Sequence, residues 1–344
     1  MNSHVGVLLV NLGTPDSPST GDVRKYLREF LMDGRVIDIP FWRRWLLVNL
    51  IIAPFRAPKS AKIYQQLWQK RGSPLLFYGQ DLQRLLQSAL GKSFKVVLGM
   101  RYQSPDLQSA LNELKSVSKI IVVPLFPQYA SASTGSVHQK VMEIVSRWPT
   151  VPDISFVSNF LNEHLFIKAL AELARPYMEQ HTIDHFLFSY HGIPERQIKA
   201  SAIDNYCQIN SSCCSVYHSK NRLCYRAQCY QTSRLLAQAL NISKENYTVS
   251  FQSRLGKTPW IKPYTDQIIK DFPAAGIKKI LAFSPSFIAD CLETTIEVGE
   301  EFRDIFFEAG GEYWQLVESL NDSNTWVQCL KSLVLKNSDL ISQV

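Results

Sequence analysis

Short apolar runs alternate with longer stretches in which apolar residues recur every three or four positions. Val5–Leu12 is a nearly unbroken apolar run and reads as a first buried strand. It ends in the turn-rich loop Gly13-Thr14-Pro15-Asp16-Ser17-Pro18, after which Val23, Tyr26, Leu27 and Phe30 mark a helix from about Thr20. Helices are predicted over 59–69, 75–90 and 105–116, and strands at Phe94–Met100 and Lys119–Pro127. After Arg147-Trp148-Pro149-Thr150-Val151-Pro152 the pattern restarts. It predicts a strand at 154–157, a helix at 160–179, a strand at 184–190, a helix at 228–240, a strand at 247–252, a helix at 262–271 and a last core strand at 278–285. Strands alternating with helices imply parallel sheets, hence an α/β fold. The expected halves are residues 1–150 and 151–323, with a terminal helix in 324–344 packing back on the first half.

Residues 36–58 break the pattern. The run from Val36 to Arg56 is apolar, aromatic and basic, with Trp42 and Trp45 beside Arg43 and Arg44. A buried helix after Pro40 is one reading, but a core does not accept such arginines unpaired. The other is a lip over a large flat apolar ligand, or a contact with a membrane surface.

The 344 residues carry a formal net charge of +7, with 46% apolar and 19% charged residues. This is a globular composition. With no Lys/Arg-rich run, the charge gives no indication of nucleic acid and suits an anionic small molecule or an acidic membrane surface. The first residues lack the pattern of a signal peptide, and no apolar run is long enough to span a membrane. The expected location is cytoplasmic, with peripheral membrane association through the lip left open. Of seven cysteines, Cys207, Cys213, Cys214, Cys224 and Cys229 are clustered, which in a reducing compartment points to metal before disulfide.

The chemistry centres on Ser189-Tyr190-His191-Gly192-Ile193-Pro194, where a strand ends and delivers a histidine onto a turn. Open α/β sheets place working residues there. After the last core strand, Asp290, Glu293, Glu297 and Glu300 share one face if the segment is α-helical, with no Lys or Arg until Arg303. Aligned acids without counter-charges suggest a cation path, although Asp290 and Glu293 also suit a helix N-terminus. One imidazole with carboxylates makes a weak, open site for a divalent metal that must be released. The same groups can accept protons.

Leu9-Val10-Asn11-Leu12-Gly13-Thr14-Pro15, Gly72-Ser73-Pro74, Pro127-Gln128-Tyr129, the His191 motif, Phe251-Gln252-Ser253-Arg254 with Pro259-Trp260, and Asp290-Cys291-Leu292-Glu293-Thr294 together resemble ferrochelatase. The motifs occur in order over nearly the whole chain. The resemblance implies two Rossmann-like halves around a porphyrin cleft, and insertion of Fe2+, a substrate, into protoporphyrin IX to make haem. It puts His191 and Glu293 on iron-binding and catalytic positions, and Asp290 and Glu297 on an acidic path. Tyr129 and Trp260 are expected against the porphyrin faces, Arg101 against a propionate, and Ser73 among the porphyrin contacts.

Some ferrochelatases carry a [2Fe–2S] cluster on four cysteines. The segment 200–225 is an apparent insertion, and four of Cys207, Cys213, Cys214, Cys224 and Cys229 are expected to hold such a cluster, with zinc or free thiols as alternatives. Adjacent Cys213 and Cys214 do not easily chelate one ion. Cys291 and Cys329 read as buried thiols. Rival readings are a chelatase for coproporphyrin or another tetrapyrrole, and a non-enzymatic iron–sulfur sensor or haem carrier. The apolar 40–55 stretch favours protoporphyrin. Oligomeric state is not legible.

Overall fold

The computed structural model describes residues 5–210, 212–254, 256 and 258–338. It forms two compact units. One holds the chain up to Phe126, Ala130–Asn159 and the segment from Asn321 onward; the other holds Pro127–Tyr129 and Phe160–Leu320.

In the first unit β1 (Val5–Gly13) leads through α1 (Thr20–Leu31), α2 (Phe41–Leu46), a π-helical turn (Leu47–Ile52), α3 (Ala53–Leu67) and α4 (Pro74–Leu90) to β2 (Phe94–Tyr102). α5 (Leu107–Asn112), β3 (Lys119–Pro124), α6 (Ser136–Val145) and β4 (Asp153–Phe156) follow. The sheet is parallel, in the order β2-β1-β3-β4. Val7 to Val10 of central β1 are wholly buried, as expected of a parallel strand covered on both faces. Leu8 and Val10 pack with Leu107, Leu111, Val137 and Val141 of α5 and α6. Val23 and Leu27 of α1 pack with Ala57 and Ala61 of α3. Gly13 ends β1 at φ +119, and a Cβ there would lie 2.0 Å from the Tyr102 carbonyl oxygen. Only glycine permits the two strand ends to approach so closely.

The second unit repeats this topology. It comprises α7 (His164–Gln180), β5 (His185–His191), α8 (Glu195–Ala200), α9 (Tyr225–Ala239), β6 (Tyr247–Gln252), α10 (Thr265–Asp271), β7 (Lys279–Phe283), a π-helical segment (Leu292–Glu301), α11 (Phe302–Glu308) and β8 (Tyr313–Leu316). Its parallel sheet has the order β6-β5-β7-β8, again second, first, third, fourth. Leu187, Ile280 and Ala282 pack with Val298, Phe302, Phe306 and Trp314. Finally α12 (Asn324–Lys336) belongs to the first unit and packs on α4.

Three expectations need correction. The periodicity predicts that the strand at 154–157 opens the second half, but β4 pairs with β3, Ile154 opposite Ile120, and the division falls after Asn159 rather than at 150. Periodicity reveals a strand but not its neighbour. The strand at 278–285 is not the last, since β8 lies beyond it. With four residues, β8 is too short to show alternation. The acidic segment is not α-helical from Asp290. It begins at Leu292, with Cys291 as its N-cap, and is wound as a π-helix to Glu301. Its i→i+5 bonding invalidates the α-helical face on which the four acids were aligned.

Candidate active site

β5 ends at His191, paired in register with Gln252 of β6. Gly192 donates its N–H to the Gln252 carbonyl at 2.8 Å. A Cβ on Gly192 would stand 2.9 Å from that carbonyl oxygen, so the turn requires glycine. The His191 Nδ1 lies 2.6 Å from the Gly192 carbonyl oxygen. A carbonyl only accepts, so Nδ1 carries the proton in this bond, and in the neutral ring Nε2 is the nitrogen left with a lone pair. The half-buried imidazole lies 6.5 Å from the Trp260 ring and 6.4 Å from the Phe287 ring, centroid to centroid.

Gln252, the neighbour of His191 across the sheet, reaches the acidic segment. Its Oε1 accepts from the Ser189 hydroxyl at 2.6 Å, which fixes Nε2 as the end that donates to the Glu293 carbonyl at 2.8 Å and to Glu297 Oε2 at 3.2 Å. Burial pushes the Glu297 carboxyl up, and neighbouring Glu293 adds to this. Bonds from Ser253 and Gln252 and the charge of His191 oppose the rise. His191, Glu293 and Glu297 are thus brought together. Asp290 faces elsewhere: its Oδ1 accepts the Ser319 N–H at 3.0 Å, and it lies in the electrostatic environment of Tyr177, whose hydroxyl donates to Glu318 at 2.9 Å.

Trp260 lines a cavity of about 530 Å³ with Arg254, Lys262 and Tyr264. Tyr129 belongs to the second unit, where its N–H donates to Gln228 Oε1 at 2.7 Å. The other two expected porphyrin contacts belong to the first unit. The Arg101 guanidinium pairs with Asp33 at 2.7 Å and donates through Nε to Ser136 at 2.7 Å. Ser73, which precedes α4, is buried, and its hydroxyl accepts from Thr14 at 2.9 Å. Both side chains therefore have protein partners already.

A family model described as Ferrochelatase matches residues 4–338. The chain belongs to the ferrochelatase family. It is 47% identical over 329 residues to the ferrochelatase of Legionella pneumophila (strain Lens), covering 96% of this chain and 98% of that protein. It is 42% identical over 341 residues to the ferrochelatase of Coxiella burnetii (strain Dugway 5J108-111), covering 98% and 95%. Among solved structures, SirB from Bacillus subtilis with Fe3+ superposes with a TM-score of 0.55 over 98% of each chain. At 11% identity that likeness shows a shared fold only.

The cysteine segment lies between α8 and α9. Cys207, Cys213, Cys214 and Cys224 lie within one another's electrostatic reach. Cys213 Sγ and Cys214 Sγ are 3.9 Å apart. Cys224 precedes α9, and its thiol is pulled down to about 7 by Cys214 and by the N–H groups of Ala227 and Arg226, against burial. Cys229 is fully buried within α9, and burial pushes its thiol up. Among the described residues no three His, Cys, Asp or Glu groups are arranged to hold a metal ion.

The 36–58 segment is largely solvent-facing. Phe55 is 74% exposed and Trp42 59%, with Phe41, Leu50 and Ile51 also exposed. Arg43 stacks over Trp42, while Arg44 donates to the Ile37 and Ile39 carbonyls. Among the described residues no helix is long and apolar enough to cross a membrane.

Sequence reasoning missed Gln252, Ser253 and Tyr225 as organisers of the site. Gln252 and Ser253 stand at the end of β6, where a strand-end position was the available signal. Tyr225, whose hydroxyl donates to the His191 carbonyl at 2.9 Å, offered none.

Proposed function

We propose that the chain inserts ferrous iron into protoporphyrin IX, with His191 as the base and iron contact on one face of the macrocycle. Iron insertion into a porphyrin, within haem biosynthesis, follows from membership of the ferrochelatase family. The residue roles and the choice of protoporphyrin are our reading. The observation that carries them is the free Nε2 of His191 beside buried Glu297.

Metallation exchanges two pyrrole protons for Fe2+. His191 Nε2 gives iron up to the macrocycle and then, with that lone pair free again, accepts a pyrrole proton. Glu297, whose affinity for protons is raised by burial, accepts the next, and Glu293 passes iron or protons along the acidic segment. Asp290, turned towards Ser319, serves an outer position on that path. Tyr129 and Trp260 hold the porphyrin faces. Arg101 and Ser73 contact it with the donors that Asp33 and Thr14 leave unused. The exposed apolar residues of the 36–58 segment suit protoporphyrin better than a more carboxylated tetrapyrrole, and suit peripheral contact of a cytoplasmic enzyme with a membrane surface.

Cys207, Cys213, Cys214 and Cys224 would hold a [2Fe–2S] cluster. Four thiols within one another's electrostatic reach, Cys213 Sγ and Cys214 Sγ 3.9 Å apart, supply the four thiolates such a cluster takes. Cys229, buried in α9, is left outside the set. Such a cluster supplies one-electron redox chemistry, which iron insertion does not use.

The test is anaerobic. Fe2+ is mixed with protoporphyrin or coproporphyrin and the metallated spectrum is followed. Turnover of protoporphyrin, lost in His191→Ala, is expected. A preference for coproporphyrin overturns the substrate, and native turnover in His191→Ala overturns the base. Iron and sulfide analysis of the purified protein decides the cluster.

A further inference from the structure

We propose that Tyr225 and Gln228, one turn apart at the start of α9, are positioning residues that hold the base His191 and the porphyrin contact Tyr129. This rests on the reading of His191 and Tyr129 given above.

The His191–Gly192 peptide is clamped from two sides. Its N–H donates to the Gln252 carbonyl at 2.8 Å, and its carbonyl accepts from the Tyr225 hydroxyl at 2.9 Å. Ser286 Oγ lies 3.1 Å from the same phenol oxygen. Because the phenol proton is committed to the carbonyl, the Ser286 hydroxyl is the donor in that second bond. Fixing this peptide fixes where the Gly192 carbonyl begins, and that carbonyl takes Nδ1–H of His191 at 2.6 Å. Tyr225 thereby determines the direction in which Nε2 points. The phenol is buried, so its loss leaves the His191 carbonyl short of a partner.

Gln228 acts on the other contact. Its Oε1 accepts the Tyr129 N–H at 2.7 Å, and its Nε2 donates to the Arg222 carbonyl at 2.9 Å, which fixes the amide's orientation. One turn further, Thr232 Oγ1 accepts from Gln128 at 3.0 Å. Positions 225, 228 and 232 follow the spacing of one helix face. A single rigid helix therefore carries the frame for both groups. The same helix is tied to the cysteine segment, through Arg226 to the Asn210 carbonyl at 2.7 Å and Arg234 to the Cys214 carbonyl at 3.0 Å. Nothing in iron insertion itself requires a tyrosine or glutamine at these positions.

The two roles separate in kinetics. In the anaerobic assay, with porphyrin Kd taken from fluorescence quenching, Tyr225→Phe is expected to lower kcat by about tenfold or more while leaving Kd within about twofold. Gln228→Ala is expected to raise Kd by about fivefold with kcat at saturation little changed. If Tyr225→Phe fails to fold, Ser286→Ala gives a weaker loss of kcat by releasing the phenol. The proposal is overturned if either variant is native in both parameters, or if both variants move kcat and Kd together. A native His191→Ala defeats the base reading instead. An inactive His191→Ala beside a native Tyr225→Phe defeats only the positioning role.

Discussion

Ser253 grips both carboxylate oxygens of Glu297, its N–H donating to Oε1 at 3.0 Å and its hydroxyl to Oε2. It does so from a left-handed backbone conformation, φ +63, which few side chains adopt without strain. Ser253→Ala keeps the backbone bond and removes the hydroxyl. Glu297 then loses a bond that favours its charged form, and its carboxyl rises further. Iron insertion near neutral pH is expected to fall by about tenfold, with the circular dichroism spectrum unchanged. A native rate in this variant means that Glu297 needs no such grip.

Asp33 organises the end of β2. Its carboxylate accepts from Arg101 at 2.7 Å, Tyr102 at 2.9 Å and Ser136 at 2.5 Å. Burial alone would raise its pKa, yet the bonds from Ser136 and the Arg35 backbone, with the charge of Arg101, hold it below the ordinary carboxylate value. Its contribution to stability is therefore present above that ordinary value and lost as pH falls through the lower, folded one. Asp33→Ala strands Arg101 and is expected to cost about 3 kcal/mol in urea unfolding. Asp33→Ala combined with Arg101→Met should recover part of the loss. A double variant no better than the single one would show that the pair is not the cause.

What the chain discloses in advance follows from what periodicity encodes. Apolar runs identified β1, β3, β5 and β7 because central parallel strands are buried on both faces. His191 was legible because a strand end and a Gly-x-Pro turn coincide there. Pairing was not legible: Ile154 meets Ile120 through tertiary contact alone. Nor was winding: acids spaced by three and four imply an α-helix, and nothing in the letters reveals π-helical bonding. Arg101 showed a strand-end cation free for a propionate, but its partner Asp33 is 68 positions away and only the fold joins them. Tyr225 reads as one more aromatic until the fold sets its hydroxyl on the His191 carbonyl.

His185, the first residue of β5, is buried, its Nε2 2.8 Å from Thr248 Oγ1 and its ring against Phe272. Burial pushes its pKa down to about 4. The folded chain thus prefers the neutral ring, whereas the unfolded chain binds a proton below about 6.5. Stability attributable to this residue is complete above that value and declines as pH falls towards 4. The loss is expected to be on the order of 1–2 kcal/mol, discounted because the ring is not wholly shut from water. His185→Gln keeps a polar group for Thr248 and removes the titration. Urea midpoints at pH 7 and 4.5 should converge in the variant, and an unchanged gap would assign the acid sensitivity elsewhere.

The exposed face of α2, α3 and the π-turn between them offers a test of membrane contact that leaves the core untouched. Phe55 and Trp42 are 74% and 59% exposed, so an acidic residue at either position meets water rather than packing. Apolar patches this concentrated on monomeric surfaces mark contact sites. Exposed Arg43, Arg56 and Lys59 lie along the same stretch and add attraction to anionic headgroups. Sedimentation with vesicles of phosphatidylethanolamine and phosphatidylglycerol should retain the native chain. Trp42→Glu or Phe55→Glu should weaken retention by about tenfold, since each large side chain contributes about 1.5–3 kcal/mol when withdrawn from water. Salt should weaken native binding only in part, because the apolar share of the attraction is not screened. Turnover of a soluble porphyrin should be preserved if the segment serves the membrane. Loss of turnover with vesicle binding intact would instead make these residues a cover for the substrate, and native behaviour in both assays would remove the segment from either role.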